Sequence, residues 1–234
     1  MNKFTKAIAA LMLTVAVIVV AGCKPDEPNN GDVLNGHEYV DLGLPSGTLW
    51  ATCNVGAETP EGYGDYFAWG ETEPKTTYNW STYQHCNGVL DQLTKYCNDS
   101  DYGYNGFTDD LTVLQPSDDA ATANWGSGWC MPTVGQWREL RDNTSTVWTI
   151  QNGVNGRLFT APNGNSLFLP AAGDRWGDEL LWVVEQGGCW SSSLGNDPAG
   201  AWIFGIDEGE ADNIFYDDRA VGLSVRAVCF SRQN

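Results

Sequence analysis

Short runs of hydrophobic and β-prone residues, separated by polar segments with glycine and asparagine, recur along the chain from about residue 37 onward. Short runs of this kind bounded by turn residues are typical of β-strands. The best of these runs predict strands over Glu38–Leu42, Thr48–Asn54, Tyr66–Trp69, Cys189–Ser193, Ala201–Ile206 and Gly222–Phe230.

One hairpin has its own turn signal. Two β-prone runs, Arg157–Pro162 and Asn165–Pro170, are joined through Asn163-Gly164. A type I′ turn needs a positive φ at both central residues, and Asn-Gly is the pair that favours it. The pattern therefore predicts a hairpin with a type I′ turn.

Two helices are predicted from their N-terminal signals. Ser117, followed by Asp118 and Asp119, is typical of a cap and a first acidic turn, and it predicts a helix that runs through Asn124. Thr133 and Gln136 form a capping box for a second helix that ends near Asn143. Two short helices among many strands and loops indicate the α+β class.

The N-terminus has a different pattern. Lys3 and Lys6 precede an apolar run over Ala7–Ala21 that is interrupted at Thr14, which is the order of a secretory signal peptide. The run is too short for a comfortable membrane span, which needs about 20 apolar residues. Residues 1–22 are therefore predicted to be removed on export.

The residues at the end of that run, Val20-Ala21-Gly22-Cys23, resemble a bacterial lipobox. This resemblance implies cleavage before Cys23 and acylation of its thiol by chains such as palmitate, which anchor a domain to a membrane. The polar stretch that follows predicts a flexible tether, so that the predicted organisation is 1–22 signal peptide, 23–36 lipidated cysteine and tether, and 37–231 one domain. Lys24 does not resemble an inner-membrane retention signal, and Asp26-Glu27 resembles the export signals of surface lipoproteins of Bacteroides, which favours the outer membrane and the cell surface.

Charge excludes one class of partner. Removal of Lys3 and Lys6 leaves ten basic residues against thirty acidic ones, a net charge of −20. A surface of this sign repels phosphate backbones, so nucleic acid is not expected as a ligand.

Several segments together resemble one family, the Fibrobacter succinogenes major paralogous domain, which is abundant in surface lipoproteins of Bacteroides and relatives. The resemblance covers residues 37–230. The segments that carry it are Glu38–Gly56, Gly64–Thr72, Leu93–Tyr96, Asp118–Ala121, Asn124–Gly126, Met131–Thr133, Asn163–Gly173, Trp190–Ser193 and Gly222–Arg226.

The resemblance implies a C-type-lectin-like fold, related to the formylglycine-generating-enzyme domain and to the variable proteins of diversity-generating retroelements. It implies strands paired from near both termini and long loops on one face. In those variable proteins the binding residues lie between a Trp-Ser-Ser segment and a closing Gly-x-Ser-Val-Arg strand, an interval that corresponds here to Leu194–Val221. The fold hosts unrelated functions, so it does not by itself imply an activity.

A ligand surface is predicted over residues 174–186 and 195–218, where aromatic and polar residues are mixed. Exposed aromatic rings flanked by hydrogen-bonding groups are typical of sugar binding. A solvated hairpin tip explains the acidic part of the second stretch nearly as well. The candidate residues are Trp176, Trp182, Asn196, Asp197, Trp202, Asp212, Asn213, Phe215, Tyr216, Asp217 and Asp218.

Six cysteines remain besides Cys23, and six allow fifteen pairings, so the residues alone leave the connectivity open. The family resemblance adds an expectation, because Cys130 and Cys189 stand where the family has Arg and an aromatic residue. This implies a Cys130–Cys189 pair, with Cys53–Cys229 joining the first and last strands and Cys86–Cys97 closing a loop.

A calcium site and an enzyme are the remaining alternatives. Asp99, Asp101, Asp109 and Asp110 gather oxygen ligands in a glycine-containing loop, as a hard cation requires, although the EF-hand order is absent. Only His37 and His85 are available as bases, no nucleophile motif is present, and no single carboxylate pair stands out. The sequence therefore favours a non-catalytic surface protein that binds a glycan or a protein. A structural subunit, such as a fimbrial tip, is the alternative, and a glycan-active enzyme is the less favoured third hypothesis.

Overall fold

Small antiparallel sheets make up most of the regular secondary structure in the computed structural model, which describes residues 32–209 and 213–230. The predicted signal peptide, Cys23 and Asp212 lie outside these residues. Two α-helices occur in the described part, α1 (Ala120–Trp125) and α2 (Val134–Asn143), with three 3-10 turns at Trp80–Thr82, Tyr104–Gly106 and Pro116–Asp118. The strands are β1 (Asp32–Leu34), β2 (His37–Asp41), β3 (Thr48–Asn54), β4 (Ser145–Gln151), β5 (Val154–Thr160), β6 (Ser166–Pro170), β7 (Asp174–Trp176), β8 (Glu179–Leu181), β9 (Gln186–Leu194), β10 (Gly200–Asp207), β11 (Asn213–Asp218) and β12 (Arg226–Phe230).

The first sheet joins the two ends of the described chain, in the order β1-β2-β3-β12. Strand β12 lies antiparallel to β3, with Val228 opposite Trp50 and Cys229 opposite Leu49. Both strands are buried on both faces because α2 packs on one side and a second hydrophobic cluster lies on the other. The predicted strand over Thr48–Asn54 is confirmed, and it begins and ends at the predicted residues.

The predicted tether is partly wrong, because the folded body begins before residue 37. Strand β1 pairs with β2, and Leu34 accepts a hydrogen bond from Trp129 Nε1 at 3.0 Å. The side chain of Asn35 also donates to the carbonyl of Trp125 at 3.1 Å. Residues 32–36 are thus tied to the domain by main-chain pairing and by contacts with the core.

Three further sheets cover the rest, in the orders β4-β5-β6, β9-β10-β11 and β7-β8. The hairpin predicted around Asn163-Gly164 is present as β5 and β6, but its type I′ turn is wrong. Only Gly164 has a positive φ, of 89°, and its N–H donates to Ala161 O at 3.0 Å. A three-residue loop with glycine in the left-handed conformation also connects two antiparallel strands.

Both predicted helices are present, but the N-terminal cap of the first is a different residue from the predicted one. Thr133 and Gln136 form the expected capping box, and α2 ends at Asn143. The first helix begins later than predicted: Asp119, not Ser117, caps it by accepting from Thr122 N at 2.9 Å. The preceding residues form a 3-10 turn started by Pro116, whose fixed φ suits the first position of a helical turn.

The predicted strand at Tyr66–Trp69 is wrong. This segment makes a single bridge, between Phe67 and Leu223, and is otherwise irregular. It is held by buried side chains, because Trp190 Nε1 donates to Phe67 O at 2.7 Å and Trp69 Nε1 donates to Ser191 O at 2.8 Å. Its apolar residues are buried through packing of the segment and not through pairing in a sheet.

The predicted disulfides are wrong in this structure, in which all six cysteines of the described residues are free thiols. Cys229 faces Leu49, so Cys53 lies four residues further along β3, roughly 13 Å away and beyond the about 7 Å that a disulfide tolerates. Cys130 and Cys189 likewise pair with Val228 and Ser224, which are four residues apart.

The third predicted pair, Cys86 and Cys97, packs around one hydrophobic cluster without a bond between the sulfurs. The Cys86 thiol donates to Trp80 O at 3.1 Å, and the Cys97 thiol donates to Asp99 O at 3.0 Å. Each thiol therefore has a main-chain partner of its own.

Aromatic side chains and two buried arginines fill the core. Trp137 stacks on Phe204 with ring centroids 4.6 Å apart, so α2 is fixed to β10. Arg219 lies against the rings of Trp69 and Tyr83, and Arg226 donates to Asn54 Oδ1 at 2.9 Å. The expected α+β class is confirmed at this coarse level, with β-structure predominating. Within the described residues, no helix has the length and apolar character to span a membrane.

Candidate functional site

A cavity of about 370 Å³ opens between the β7–β8 hairpin, β9 and the β10–β11 pair. This volume is within the range of small-molecule sites. Four of the residues predicted to bind a ligand line it: Trp182, Asn213, Phe215 and Asp217. The structure therefore brings together residues from both predicted ligand segments.

Strand alternation decides which residues of β11 face the cavity. Asn213, Phe215 and Asp217 point to one side because successive side chains of a strand alternate. Phe215 lies opposite Ile203 of β10 and keeps 44% of its surface exposed. The ring is therefore available to a ligand, while its strand is fixed by pairing with β10.

Glycines make the room for the cavity. Gly187 and Gly188 of β9 and Gly205 of β10 line it without side chains. A Cβ on Gly205 would lie 2.7 Å from the Phe215 ring, and one on Gly187 would lie 2.7 Å from Pro170 O. Glycine within a strand often marks the close approach of a ligand or another backbone, and here it gives the neighbouring rings their space.

Trp182 is held at the rim by a strained turn. Both Trp182 and Val184 have positive φ, of 57° and 68°, which is rare for a residue other than glycine and most unfavourable for a β-branched one. The turn persists because Val184 N donates to Ala171 O at 2.9 Å and Val184 O accepts from Asn155 Nδ2 at 2.9 Å. Strain of this kind is often found at functional sites, and here it leaves 56% of the Trp182 surface exposed.

The ionisable groups that line the cavity are all acidic: Asp174, Asp207 and Asp217. Burial and the neighbouring charge of Asp217 raise the pKa of Asp174 to about 6. Within the described residues, the carboxylate of Asp174 receives no hydrogen bond and no ion pair. Asp217 Oδ1 accepts from Asp218 N at 2.7 Å, and Asp207 Oδ1 accepts from Gly209 N at 2.8 Å.

Trp202 and Tyr216 lie on the opposite face of the same strands. They form a cross-strand pair with ring centroids 5.6 Å apart, and the guanidinium of Arg138 lies 5.5 Å from the Trp202 ring. This patch faces α2, not the cavity. The two aromatic residues therefore belong to a separate surface from Trp182 and Phe215.

The remaining predicted ligand residues lie outside the cavity. Trp176 is exposed near the tip of the β7–β8 hairpin. Asp197 stabilises a turn, because its Oδ1 accepts from Ala199 N at 3.0 Å, and Asp218 accepts from Trp80 Nε1 at 3.3 Å. Asn196 is exposed in that turn.

Sequence reasoning missed Asp174, Gln186 and Asp207, all of which line the cavity. Asp174 and Gln186 stand at the limits of a predicted segment but were not singled out. The paired glycines Gly187-Gly188 before a strand were a usable signal, since two adjacent glycines within a sheet are unfavourable unless something packs closely against them.

The predicted calcium ligands are not assembled. Both carboxylate oxygens of Asp109 accept main-chain N–H groups, from Tyr96 at 2.8 Å and from Cys97 at 3.0 Å. Asp99 Oδ1 accepts from Asp101 N at 3.0 Å. Across residues 32–209 and 213–230, no three His, Cys, Asp or Glu side chains converge as a metal site. These acids shape the loop, and the calcium prediction is not supported.

The two histidines lie away from the cavity. His37 stacks on Trp125 with ring centroids 3.9 Å apart, and burial lowers its pKa. His85 is buried with Nε2 2.8 Å from Gly70 O, and burial lowers its pKa as well.

In comparisons with known proteins, no family model, no curated protein and no solved structure matches the chain.

Proposed function

We propose that the chain is a non-catalytic lipoprotein, anchored to the outer membrane through Cys23 and exposed at the cell surface, which binds a glycan in the cavity between the β7–β8 hairpin and β11. The observation that carries this proposal is the pair of exposed rings, Trp182 and Phe215, at one glycine-lined cavity with polar groups around it. Sugars are bound in this way, with an aromatic face for the C–H groups and side-chain oxygens for the hydroxyls.

The proposed fold family is the C-type-lectin-like one, in the form found in the Fibrobacter succinogenes major paralogous domain. Two features support it. The last strand pairs with a strand from near the N-terminus. Half of the residues that line the cavity come from Leu194–Val221, the interval that corresponds to the binding segment of the related variable proteins.

A glycan array probed with the purified domain, residues 32–230, tests the proposal. We expect binding to a defined set of glycans, and a loss of about tenfold or more in affinity for Trp182→Ala and for Phe215→Ala, since stacking and burial on one ring contribute roughly 1–2 kcal/mol. Tyr104→Ala is the matched control, because Tyr104 is an exposed aromatic residue in a different loop.

Equal glycan binding by the wild type and by both cavity variants would contradict the location of the site. Binding only to host proteins in a pull-down would replace the glycan with a protein ligand. Hydrolysis of a polysaccharide by the pure domain would contradict the non-catalytic assignment.

A second candidate function, a structural subunit of a surface assembly, is favoured by β4. Among the described residues this strand pairs only with β5, so its outer main-chain edge is open. Its sequence, STVWTIQ, has no charge, and Ile150 keeps 66% of its surface exposed. Edge strands are usually protected by charge or proline, and an unprotected one is a site for pairing with another chain.

Cross-linking in intact cells distinguishes assembly from free ligand capture. If β4 pairs with a strand of a neighbouring subunit, Ile150→Lys abolishes the cross-linked species and Val89→Lys, an exposed site in a separate loop, does not. A purely monomeric pattern in the wild type would exclude this second function.

A further inference from the structure

The ionisable groups in the described lining of the cavity carry one sign of charge, and this restricts the chemistry of the ligand more closely than the proposed glycan function does. Three carboxyl groups line it, and no lysine, arginine or histidine is present in its described lining. Neutral sugars are usually held by donors as well as acceptors, because each hydroxyl group can both donate and accept a hydrogen bond. In the described part of the lining, the side-chain donors are Asn213, Gln186 and the Trp182 indole.

Asp174 and Asp217 interact unfavourably with each other without a ligand. They come from different elements, β7 and β11, both line the cavity, and burial together with the charge of Asp217 disfavours ionisation of Asp174. The nearest cation along the chain, Arg175, is directed away, since its guanidinium lies 5.0 Å from the Tyr66 ring. Asp207 is a third carboxyl group in the lining of the cavity. A cationic group in the cavity would remove this repulsion.

The walls favour an organic cation over a metal ion. Trp182 and Phe215 line the cavity, and aromatic rings attract ammonium groups through their quadrupole and pack against carbon. Calcium requires six to eight oxygen ligands, and no cluster of three acidic or other metal-binding side chains converges in the described residues. The net charge of −18 further raises the local concentration of cations around the molecule.

We propose that the cavity recognises the primary ammonium group of a non-acetylated amino sugar, held by Asp174 and Asp217 and flanked by the rings of Trp182 and Phe215. The inference rests on the proposed glycan-binding function and adds the charge of the ligand. In this arrangement the sugar ring lies against the aromatic faces, and the ammonium group donates to the two carboxylates.

Two oligosaccharides with the same backbone test the ammonium group. The glucosamine trimer and the N-acetylglucosamine trimer are titrated into the chain without its predicted signal peptide, residues 23–234, by calorimetry near neutral pH. We expect the glucosamine trimer to bind about tenfold or more tightly, since a charge-assisted hydrogen bond contributes roughly 1.5–3 kcal/mol. Asp174→Asn is expected to remove that preference, and its fold is checked by thermal unfolding.

The matched control is Asp91→Asn, an exposed acid away from the cavity, which should leave both affinities unchanged. Added sodium chloride should weaken binding of the glucosamine trimer more than that of the acetylated trimer, because screening acts on the charged contact alone.

Each of the other outcomes has a distinct meaning. Equal binding of both trimers, lost in Trp182→Ala, overturns the ammonium inference and leaves the glycan function intact. Tighter binding of trilysine than of the glucosamine trimer, with the same dependence on Asp174, overturns the amino sugar as the source of the ammonium group. Binding of neither trimer overturns the inference, while an empty glycan array is what overturns the proposed function.

Discussion

At the scale of single residues, Asp174 is an acid whose ionised form has no compensating partner in the described structure. Its pKa in the folded state is about 6, raised by burial and by Asp217. An acid with a raised pKa binds its proton more tightly when folded, so stability is lost as pH rises from the unfolded value, about 4, through about 6. Near neutral pH the molecule carries the full cost of this charge.

Asp174→Asn is therefore expected to stabilise the domain at neutral pH. The shift corresponds to roughly 3 kcal/mol if taken in full, but the group is half exposed and screened, so we expect about 1 kcal/mol. The gain should disappear below about pH 4, where the wild-type carboxyl is protonated. Urea unfolding across this pH range measures it. An unchanged or lower stability at neutral pH would contradict the described environment of Asp174.

The strained turn that contains Val184 leads to a second prediction for a single residue. Val184→Gly should stabilise the domain by up to about 1 kcal/mol, because relief of a left-handed β-branched residue, roughly 1–2 kcal/mol, exceeds the added entropy of an unfolded glycine. Ligand affinity should fall, since the turn that positions Trp182 becomes loose.

Val147→Gly is the control for the turn, because Val147 is an exposed strand residue in β4 that is not among the residues with positive φ. It is expected to destabilise by roughly 0.5–1 kcal/mol. Destabilisation by both substitutions to a similar extent would mean that residue 184 is not strained.

Residue chemistry also sets the limit of what the sequence could predict about the site. The sequence singled out Trp182 and Phe215 as aromatic residues in polar segments, and both line the cavity. Asp174 was not predictable as a cavity residue, because nothing in its local sequence distinguishes it from the other acidic residues, of which the chain has thirty in total. Its position becomes unusual only when the hairpin places it beside Asp217, far away in the sequence.

At the scale of elements, the cap of α1 gives a matched pair of substitutions. Asp119 Oδ1 accepts from Thr122 N and Oδ2 accepts from Met131 N at 2.8 Å, both in a buried setting. Asp119→Ala should destabilise by about 2–3 kcal/mol through loss of the cap and an unsatisfied main-chain donor. Ser117→Ala should change stability by less than about 0.5 kcal/mol, because the Ser117 hydroxyl donates to the neighbouring Asp118 carboxylate and does not cap the helix.

Urea unfolding followed by tryptophan fluorescence measures both variants. If Ser117→Ala proved as costly as Asp119→Ala, the helix would begin where the sequence alone placed it. A small loss for both would mean that the buried contact with Met131 is absent.

Elements with a strong local signal were predictable, and elements that depend on distant pairing were not. The capping box of Thr133 and the β-prone run of β3 are signals that lie within a few residues, so each element was recognisable. The segment around Phe67 has residues typical of a strand, but its main chain forms a single bridge and does not pair along a neighbouring strand. β11 was missed because its acids and aromatic residues read equally well as a solvated loop.

At the scale of the whole molecule, negative charge is poorly compensated. The chain has thirty acidic and twelve basic residues, and three ion pairs are present in the described part, two of them partly buried. Self-repulsion of this kind weakens the folded state and is screened by salt. We therefore expect the melting temperature to rise by several degrees between about 0.01 and 0.5 M sodium chloride.

Differential scanning fluorimetry over a salt series measures this rise, with an equal osmolality of sorbitol as the control for solvent exclusion. A melting temperature that falls with salt would show that attractive pairs outweigh the repulsion. The direction was predictable from composition alone, whereas the position of the few ion pairs was not.

The pairing of β12 with β3 governs when the protein can acquire its shape. Val225, Ala227 and Cys229, near the end of the chain, complete the hydrophobic cluster that Leu49 and Ala51 begin. Residues 225–229 must therefore leave the ribosome before that interior can close. During synthesis, the first strands of the sheet have to wait for a partner that is made about 170 residues later.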